Sequence, residues 1–204
     1  MEGSRRILLA TGLAALAISG AAAGCGGGER QDANEPSGTY KVDVERASFP
    51  KRQQLARQEE LHVVVRNADD KTIPNVAVTI TSDDPKNPTG GFTTRDQQAG
   101  LADPRRPIWI VDAGPHGGAT AYVGTWALGP LRAGQQREFV WKVTAVQPGS
   151  HTVRYRVAAG LDGKAKAQTA QGDEAAGSFR VDISPKPSKA TVDPETGEVV
   201  RTSQ

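Results

Sequence analysis

The chain predicts an all-β protein folded as an antiparallel sandwich of about seven to nine short strands. Three observations predict it. Apolar and polar residues alternate with a period of two through the middle of the 204 residues. The apolar positions are rich in Val, Ile and aromatic side chains, which suit a pleated, half-buried surface. Clusters of Gly, Pro, Asn and Asp punctuate the alternating segments at short intervals. Helical periodicity of any length is missing; residues 53–60 (QQLARQEE) amount to one or two helical turns at most.

The elements follow in order. A first strand is expected near residues 40–47. Leu61, Val63 and Val65 then alternate with His62, Val64 and Arg66, and Asn67-Ala68-Asp69-Asp70-Lys71 supplies a tight reversal. Val76, Val78 and Ile80 alternate with Ala77 and Thr79. Strands also fit residues 108–111 and 122–128. Leu131-Arg132-Ala133-Gly134 leads into Phe139, Trp141 and Val143, which alternate with Val140, Lys142 and Thr144. Gln147-Pro148-Gly149 leads into Val153, Tyr155 and Val157, which alternate with Arg154 and Arg156. A last strand is expected near residues 178–183. Residues 83–118 form a long insertion between the Ile80 and Tyr122 strands.

Ahead of this lies an export segment. Arg5 and Arg6 open it, thirteen mostly apolar residues follow from Ile7 to Ser19, and a run of small residues closes it. A membrane-spanning helix needs about 20 apolar residues, so residues 1–24 read as a signal peptide. Ser4-Arg5-Arg6-Ile7-Leu8-Leu9 resembles the twin-arginine export motif, although two arginines also suit an ordinary positively charged start; both export routes stay open. Ala22-Ala23-Gly24-Cys25, followed by Gly26-Gly27-Gly28, resembles the lipobox of bacterial lipoproteins. The resemblance implies cleavage before Cys25 and a diacylglycerol on its sulfur. It would hold the protein on the outer face of the cell membrane, on the extracellular or periplasmic side. Two acyl chains matter, because one chain holds a protein only marginally. The sequence departs from the family pattern at Ala22, where Leu is usual. Ala21-Ala22-Ala23 leaves a rival cut before Gly24 by ordinary signal peptidase.

Composition then divides the rest. Residues 25–38 hold Cys25 and a polar, Gly/Pro-bearing linker. Residues 39–183 carry the alternating pattern. Residues 184–204 bring back prolines and charges and read as a mostly disordered tail, with a small hairpin possible in principle around Asp193-Pro194-Glu195-Thr196-Gly197. Lys and Arg total 25 against 23 Asp and Glu, a formal charge of +2. A balance so near neutral lacks the one-sign field that draws nucleic acid. Cys25 is the only cysteine and precedes the sandwich, so no disulfide holds the fold and its core rests on packing.

The order of short motifs has a counterpart. Val65-Arg66-Asn67, Leu131-Arg132-Ala133-Gly134, Phe139-Val140-Trp141 and Pro148-Gly149-Ser150-His151-Thr152-Val153 together resemble the progression of bacterial immunoglobulin-like surface domains of the CARDB type. The resemblance covers residues 39–183. It implies an immunoglobulin-like sandwich linked to cell adhesion, and it supplies no binding site, because such sandwiches host many functions. The insertion at 83–118 departs from it.

That insertion holds the site candidates. Arg105, Arg106 and Trp109 would present an aromatic and guanidinium surface to a peptide or glycan, with His116 on a Gly-rich loop beside them. The competing reading has Ile108 and Ile110 in a strand whose Trp109 packs on the sandwich. The Asp residues of the insertion lack the order of a calcium loop, so no metal is expected. His62 falls on the outer face of its strand. His151 stands where sandwich tyrosines hydrogen-bond back to the preceding corner; a ring N–H would do the same, and a metal-ligand or pH-switch role is the alternative.

No nucleophile elbow, zinc-protease, P-loop or dinucleotide motif is present, and no catalytic residue or cofactor is expected. A blue-copper centre needs a cysteine within the domain. The expected function is therefore a non-catalytic, lipid-anchored binding or adhesion-like module with a protein or glycan partner at the cell surface. The alternatives are an envelope assembly factor that binds other exported proteins, and a glycan hydrolase working with carboxylates alone.

Overall fold

The computed structural model describes residues 35–83, 91–94, 107–122, 124–187, 189–192 and 199–202. Residues 1–34, which take in the expected signal peptide, Cys25 and most of the expected linker, lie outside them. In chain order the strands are β1 (Gly38–Ser48), β2 (Arg52–Leu55), β3 (Gln58–Asn67), β4 (Ala77–Ser82), β5 (Phe92–Thr94), β6 (Trp109–Ala113), β7 (Ala119–Tyr122), β8 (Thr125–Ala127), β9 (Gln136–Ala145), β10 (Gly149–Ala158), β11 (Ala165–Gln168), β12 (Ala176–Pro187), β13 (Lys189–Val192) and β14 (Val199–Thr202).

Twelve of these make two six-stranded sheets. One runs β11-β1-β3-β9-β6-β5 and the other β2-β12-β10-β4-β8-β7. The protein is an all-β sandwich. Its long central strands pair antiparallel, as the alternation requires, while three pairs at the margins are parallel: β1 with β11, β2 with β12, and β5 with β6. Short edge strands raise the count above the seven to nine that alternation reveals. The sandwich also reaches further than residues 39–183, since β1 begins at Gly38 and β12 runs on to Pro187. In the tail, β13 and β14 pair antiparallel on either side of residues 193–198, where the sequence allows a small hairpin.

Alternation explains the core. Leu61, Val63 and Val65 of β3 lie opposite Trp141, Phe139 and Arg137 of β9, and the apolar members of this set are fully buried. On the facing sheet Val78 and Ile80 of β4 pair with Val157 and Tyr155 of β10, and these too are buried. Trp126 of β8 meets Trp141 of β9 edge to face at 5.7 Å, so the two sheets touch through aromatic rings. Burial of this many large apolar side chains provides the stability that a disulfide cannot.

Among the described residues Gln53, Asn67, Asn75 and Ser82 are buried polar side chains, and Asn67 is the most enclosed of them. Asn67 is fully buried at the end of β3. Its Nδ2 donates to the carbonyls of Lys71 and Leu131, each at 2.8 Å, and its Oδ1 accepts from the Asp69 amide at 2.9 Å. Its backbone carbonyl accepts from the Gly134 amide at 3.0 Å. Gly134 has φ of 71°, a conformation costly for a residue with a Cβ. The Asn of one motif and the Leu-x-x-Gly of another are thus two halves of one clasp. The same turn lets the Lys41 amide bond Asp69, which, with its neighbours, holds the Asp69 carboxyl down to about 2.

Residues 53–60 are not helical. β2 ends at Leu55, Ala56 takes φ of 59°, and β3 starts at Gln58. The Ala56 amide donates to Ala145 at 2.9 Å and the Arg57 amide to Gln54 at 3.2 Å. Tertiary pairing overrides the local helical preference of Gln, Leu, Ala and Arg.

Asn67→Ala leaves two carbonyls and one amide without their buried partner. Urea unfolding should show a loss of about 3 kcal/mol, and a loss within error of zero would refute the clasp.

Candidate binding groove

Of the residues singled out in the insertion, Arg105 and Arg106 lie outside the described residues. Trp109 is a core residue, which corrects the expectation that it faces a ligand. It opens β6 opposite Ala145 of β9, and that register turns Trp109 and Val111 inward and Ile110 outward. Trp109 stacks on Phe92 at 4.9 Å and meets Phe49 at 5.7 Å. Its Nε1 donates to Oε1 of the buried Gln53 at 2.8 Å. His116 is exposed on the turn between β6 and β7. A buried ring and an exposed loop histidine share no surface.

The other two histidines are placed by strand parity. His62 is on the outer face of β3, its Nδ1 3.0 Å from Glu138 and its Nε2 3.2 Å from Glu60. The His62 hydrogen bond, with Arg46 beside it, lowers the Glu138 pKa. His151 points inward from β10 and meets Trp109 edge to face at 5.6 Å. Its Nε2 is buried and has no hydrogen-bond partner among the described residues, so this nitrogen makes no bond to the corner. His151 serves as an aromatic packing group.

The outer faces of the two sheets differ. On the first, Arg66 bonds Asp43 and Glu45, Arg46 bonds Glu138, and Lys142 lies 3.8 Å from Glu60. Alternating charges there answer one another. On the second, β4 and β10 present Thr79, Thr81, Arg154 and Arg156 outward, because their neighbours Val78, Ile80, Val153 and Val157 are buried. Thr79 faces Thr125 of β8 with their hydroxyls 2.8 Å apart.

Beyond β10 the chain turns through residues 159–164 and returns as β11 along β1. This leaves a cleft of about 590 Å³ beside the second sheet. Its lining includes Tyr122, Arg156, Leu161, Lys166, Gln168 and Glu174. Tyr122 is 47% exposed. A second trough of about 450 Å³ shares Thr79, Arg156 and Glu174 with the first and continues past Thr81, Arg154 and Ser178. The two arginines of β10 are in different states. Arg154 grips Asp83 through Nε and Nη2 at 2.7 and 2.9 Å, which lowers the Asp83 pKa and raises its own. Among the described residues Arg156 has a single ionic contact, at 3.5 Å to Glu174, with both side chains more than 60% exposed.

The rim of the cleft is tied to the start of the domain. Oε2 of Glu35 accepts from the Leu161 amide at 2.5 Å and the Asp162 amide at 3.2 Å. A Cβ on residue 160 would stand 2.8 Å from the Ala165 Cβ, which cannot swing aside, as well as crowding that oxygen, so glycine suits this close approach.

Sequence reasoning missed this groove. Its residues come from five separate segments, and no short motif joins them. The available signal was parity: Thr79, Thr81, Arg154 and Arg156 all fall on the side opposite the apolar set. Chemically the described lining offers hydroxyls, an amide, an aromatic face, three cations, of which Arg154 is tied to Asp83, and one carboxylate. Among the described residues no group of three His, Cys, Asp or Glu is placed to hold a metal.

No protein-family model matches the chain, and no curated protein is similar enough in sequence to match it. Among solved structures it is similar to the CARDB domain of the PF1109 protein from Pyrococcus furiosus, in complex with di-metal ions, at 12% identity and a TM-score of 0.42 over 71% of this chain and 89% of that one. It is also similar to native alpha-2-macroglobulin from Escherichia coli at 13% identity and a TM-score of 0.43, over 78% of this chain and 21% of that one. A beta-glucosidase from Listeria innocua in complex with glucose matches at 15% identity and a TM-score of 0.40, over 72% and 16% of the two chains. At these values none of them transfers a site or an activity.

All three tryptophans are buried. Acrylamide should quench the native fluorescence several-fold less than that of the urea-unfolded chain. A readily quenched fraction that disappears in Trp109→Phe would return Trp109 to the surface.

Proposed function

We propose that this protein is a non-catalytic binding module, held by a lipid on Cys25 at the outer face of the cell membrane, that engages its partner through the groove on the second sheet. The observation that carries the binding role is the groove itself. It combines an exposed aromatic side chain with a hydrogen-bonding, two-cation lining on a rigid strand scaffold, the usual make-up of a recognition surface. The hydrolase alternative needs two carboxylates facing each other across a bond. In the described lining of the larger cleft the carboxylate is Glu174, which leans on Arg156, and this favours binding over catalysis.

The anchor reading is supported by the Ala22-Ala23-Gly24-Cys25 sequence after an apolar export segment. It is also supported by the glycines that follow, which suit a tether. The tether would meet the folded part at Glu35, where the carboxylate is gripped by two amides.

Metabolic labelling with an alkyne-bearing palmitate tests the anchor. The wild-type chain should take up label and sediment with membranes. Cys25→Ser should lose the label and move to the soluble fraction. A wild-type chain that stays unlabelled would support the rival cut before Gly24.

A further inference from the structure

We infer that the groove takes an acidic polysaccharide, laid along the outer face of the second sheet. This deepens the binding role proposed above and rests on it.

The shape calls for a linear occupant. The larger cleft and the second trough share Thr79, Arg156 and Glu174, so the concave surface continues from the Tyr122 end past Arg154. A compact ligand would use one hollow; a chain of several units uses both.

The border of the groove shows how the occupant is read. Extended peptides often bind by adding a strand to a free sheet edge. Two edge strands border the groove, β11 of the first sheet and the four-residue β7 of the second. On β11, Ala165 and Ala167 are only 2% and 7% exposed, so their backbone groups are out of reach of a new strand. The side chains of the lining, in turn, match a sugar. The Thr79 and Thr125 hydroxyls and the Gln168 amide each donate and accept, as vicinal sugar hydroxyls do. Tyr122 offers a flat apolar face against which a pyranose ring can lie.

The charges call for an acidic sugar. Arg154 is committed to Asp83 through both arms of its guanidinium. Arg156 is 63% exposed and makes one long contact, which leaves most of its donors open to a carboxylate in the fork geometry that suits one. Lys166 stands exposed on β11 in the same lining. Two cations face one carboxylate in the larger cleft, so an acidic unit is drawn in and a neutral one gains less.

The position fits an envelope polymer. Leu161 lines the groove and its amide holds Glu35. Nine residues lie between Cys25 and Glu35, ten steps along the chain, an extended reach of about 35 Å at most. With Cys25 lipidated, the groove stays within that distance of the membrane surface, where surface polysaccharides are rooted.

The test uses the full processed chain in detergent micelles on an array of oligosaccharides. The array bears uronic acids, lactyl-substituted amino sugars or sulfates, each beside its neutral counterpart. The best ligand is then titrated by calorimetry. Acidic glycans should bind at least tenfold tighter than their neutral counterparts. Arg156→Gln and Tyr122→Ala should each lose about tenfold or more, with native circular dichroism retained, and Arg46→Gln on the opposite sheet should bind as wild type does. Three results would overturn the inference: no acidic glycan held above its neutral counterpart, Arg156→Gln binding at full strength, or poly-glutamate binding as tightly as the best glycan. Cys25→Ser should bind the same glycan with unchanged affinity, so a failed label bears on the anchor alone and failed binding bears on the groove alone.

Discussion

The hydrogen bond from the Trp109 indole to Gln53, 2.8 Å long and fully enclosed, is the constraint around which this sandwich is arranged. Burying an indole N–H without an acceptor is costly, as the Trp141 indole is left without one among the described residues, and an apolar core has few acceptors to offer. Gln53 supplies it from β2, at the edge of the second sheet, while Trp109 stands on β6 in the first. Gln53 is fixed in turn by its own donor bond to the Pro50 carbonyl at 3.1 Å. Phe49, Phe92 and His151 close around the indole. One polar contact thus joins the sheets at this end, where the long insertion enters, and rings joined only by apolar packing would have more freedom to slide.

The consequence for function is a division of labour between faces. The interior is used up by aromatic packing and by the Asn67 clasp, so the recognition proposed above falls to an outside surface. The outer face of the first sheet is a lattice of paired charges. Each pair is worth little to stability, but together they neutralise the face. The second sheet carries hydroxyls and arginines instead, and the return of the chain from β10 to β11 raises a wall beside them. The groove is a product of that crossover: β11 leaves the second sheet's neighbourhood to pair in parallel with β1, and the Glu35 carboxylate pins the turn that makes the wall.

Much of the fold was legible because period two is a strong local signal when one face is buried. Leu61, Val63 and Val65, or Phe139, Trp141 and Val143, announce both strand and facing. The failures share a cause. Residues 53–60 are good helix formers locally, and nothing nearby reveals that Gln53 must reach an indole 56 positions later. β11 (Ala165–Gln168) carries small and polar residues and has no apolar alternation large enough to notice. Trp109 stood between two isoleucines, so parity alone left its facing open; the register with Ala145 and Val143 of β9 turns Trp109 inward and Ile110 outward, while Ile108, just ahead of the strand, is buried as well. The groove was illegible for a further reason: its residues converge only through topology, and a parity pattern of threonines and arginines looks the same on any solvated sheet.

A double-mutant cycle between Gln53→Met and Trp109→Phe, followed by urea unfolding, tests the central claim most directly. Each single change strands a buried donor or acceptor, and the pair removes both. The double variant should therefore be more stable than the two single losses added together, by a coupling energy of about 1–2 kcal/mol. Single changes that add within error would mean that the indole and the amide do not depend on each other, and that apolar packing alone holds this end of the sandwich.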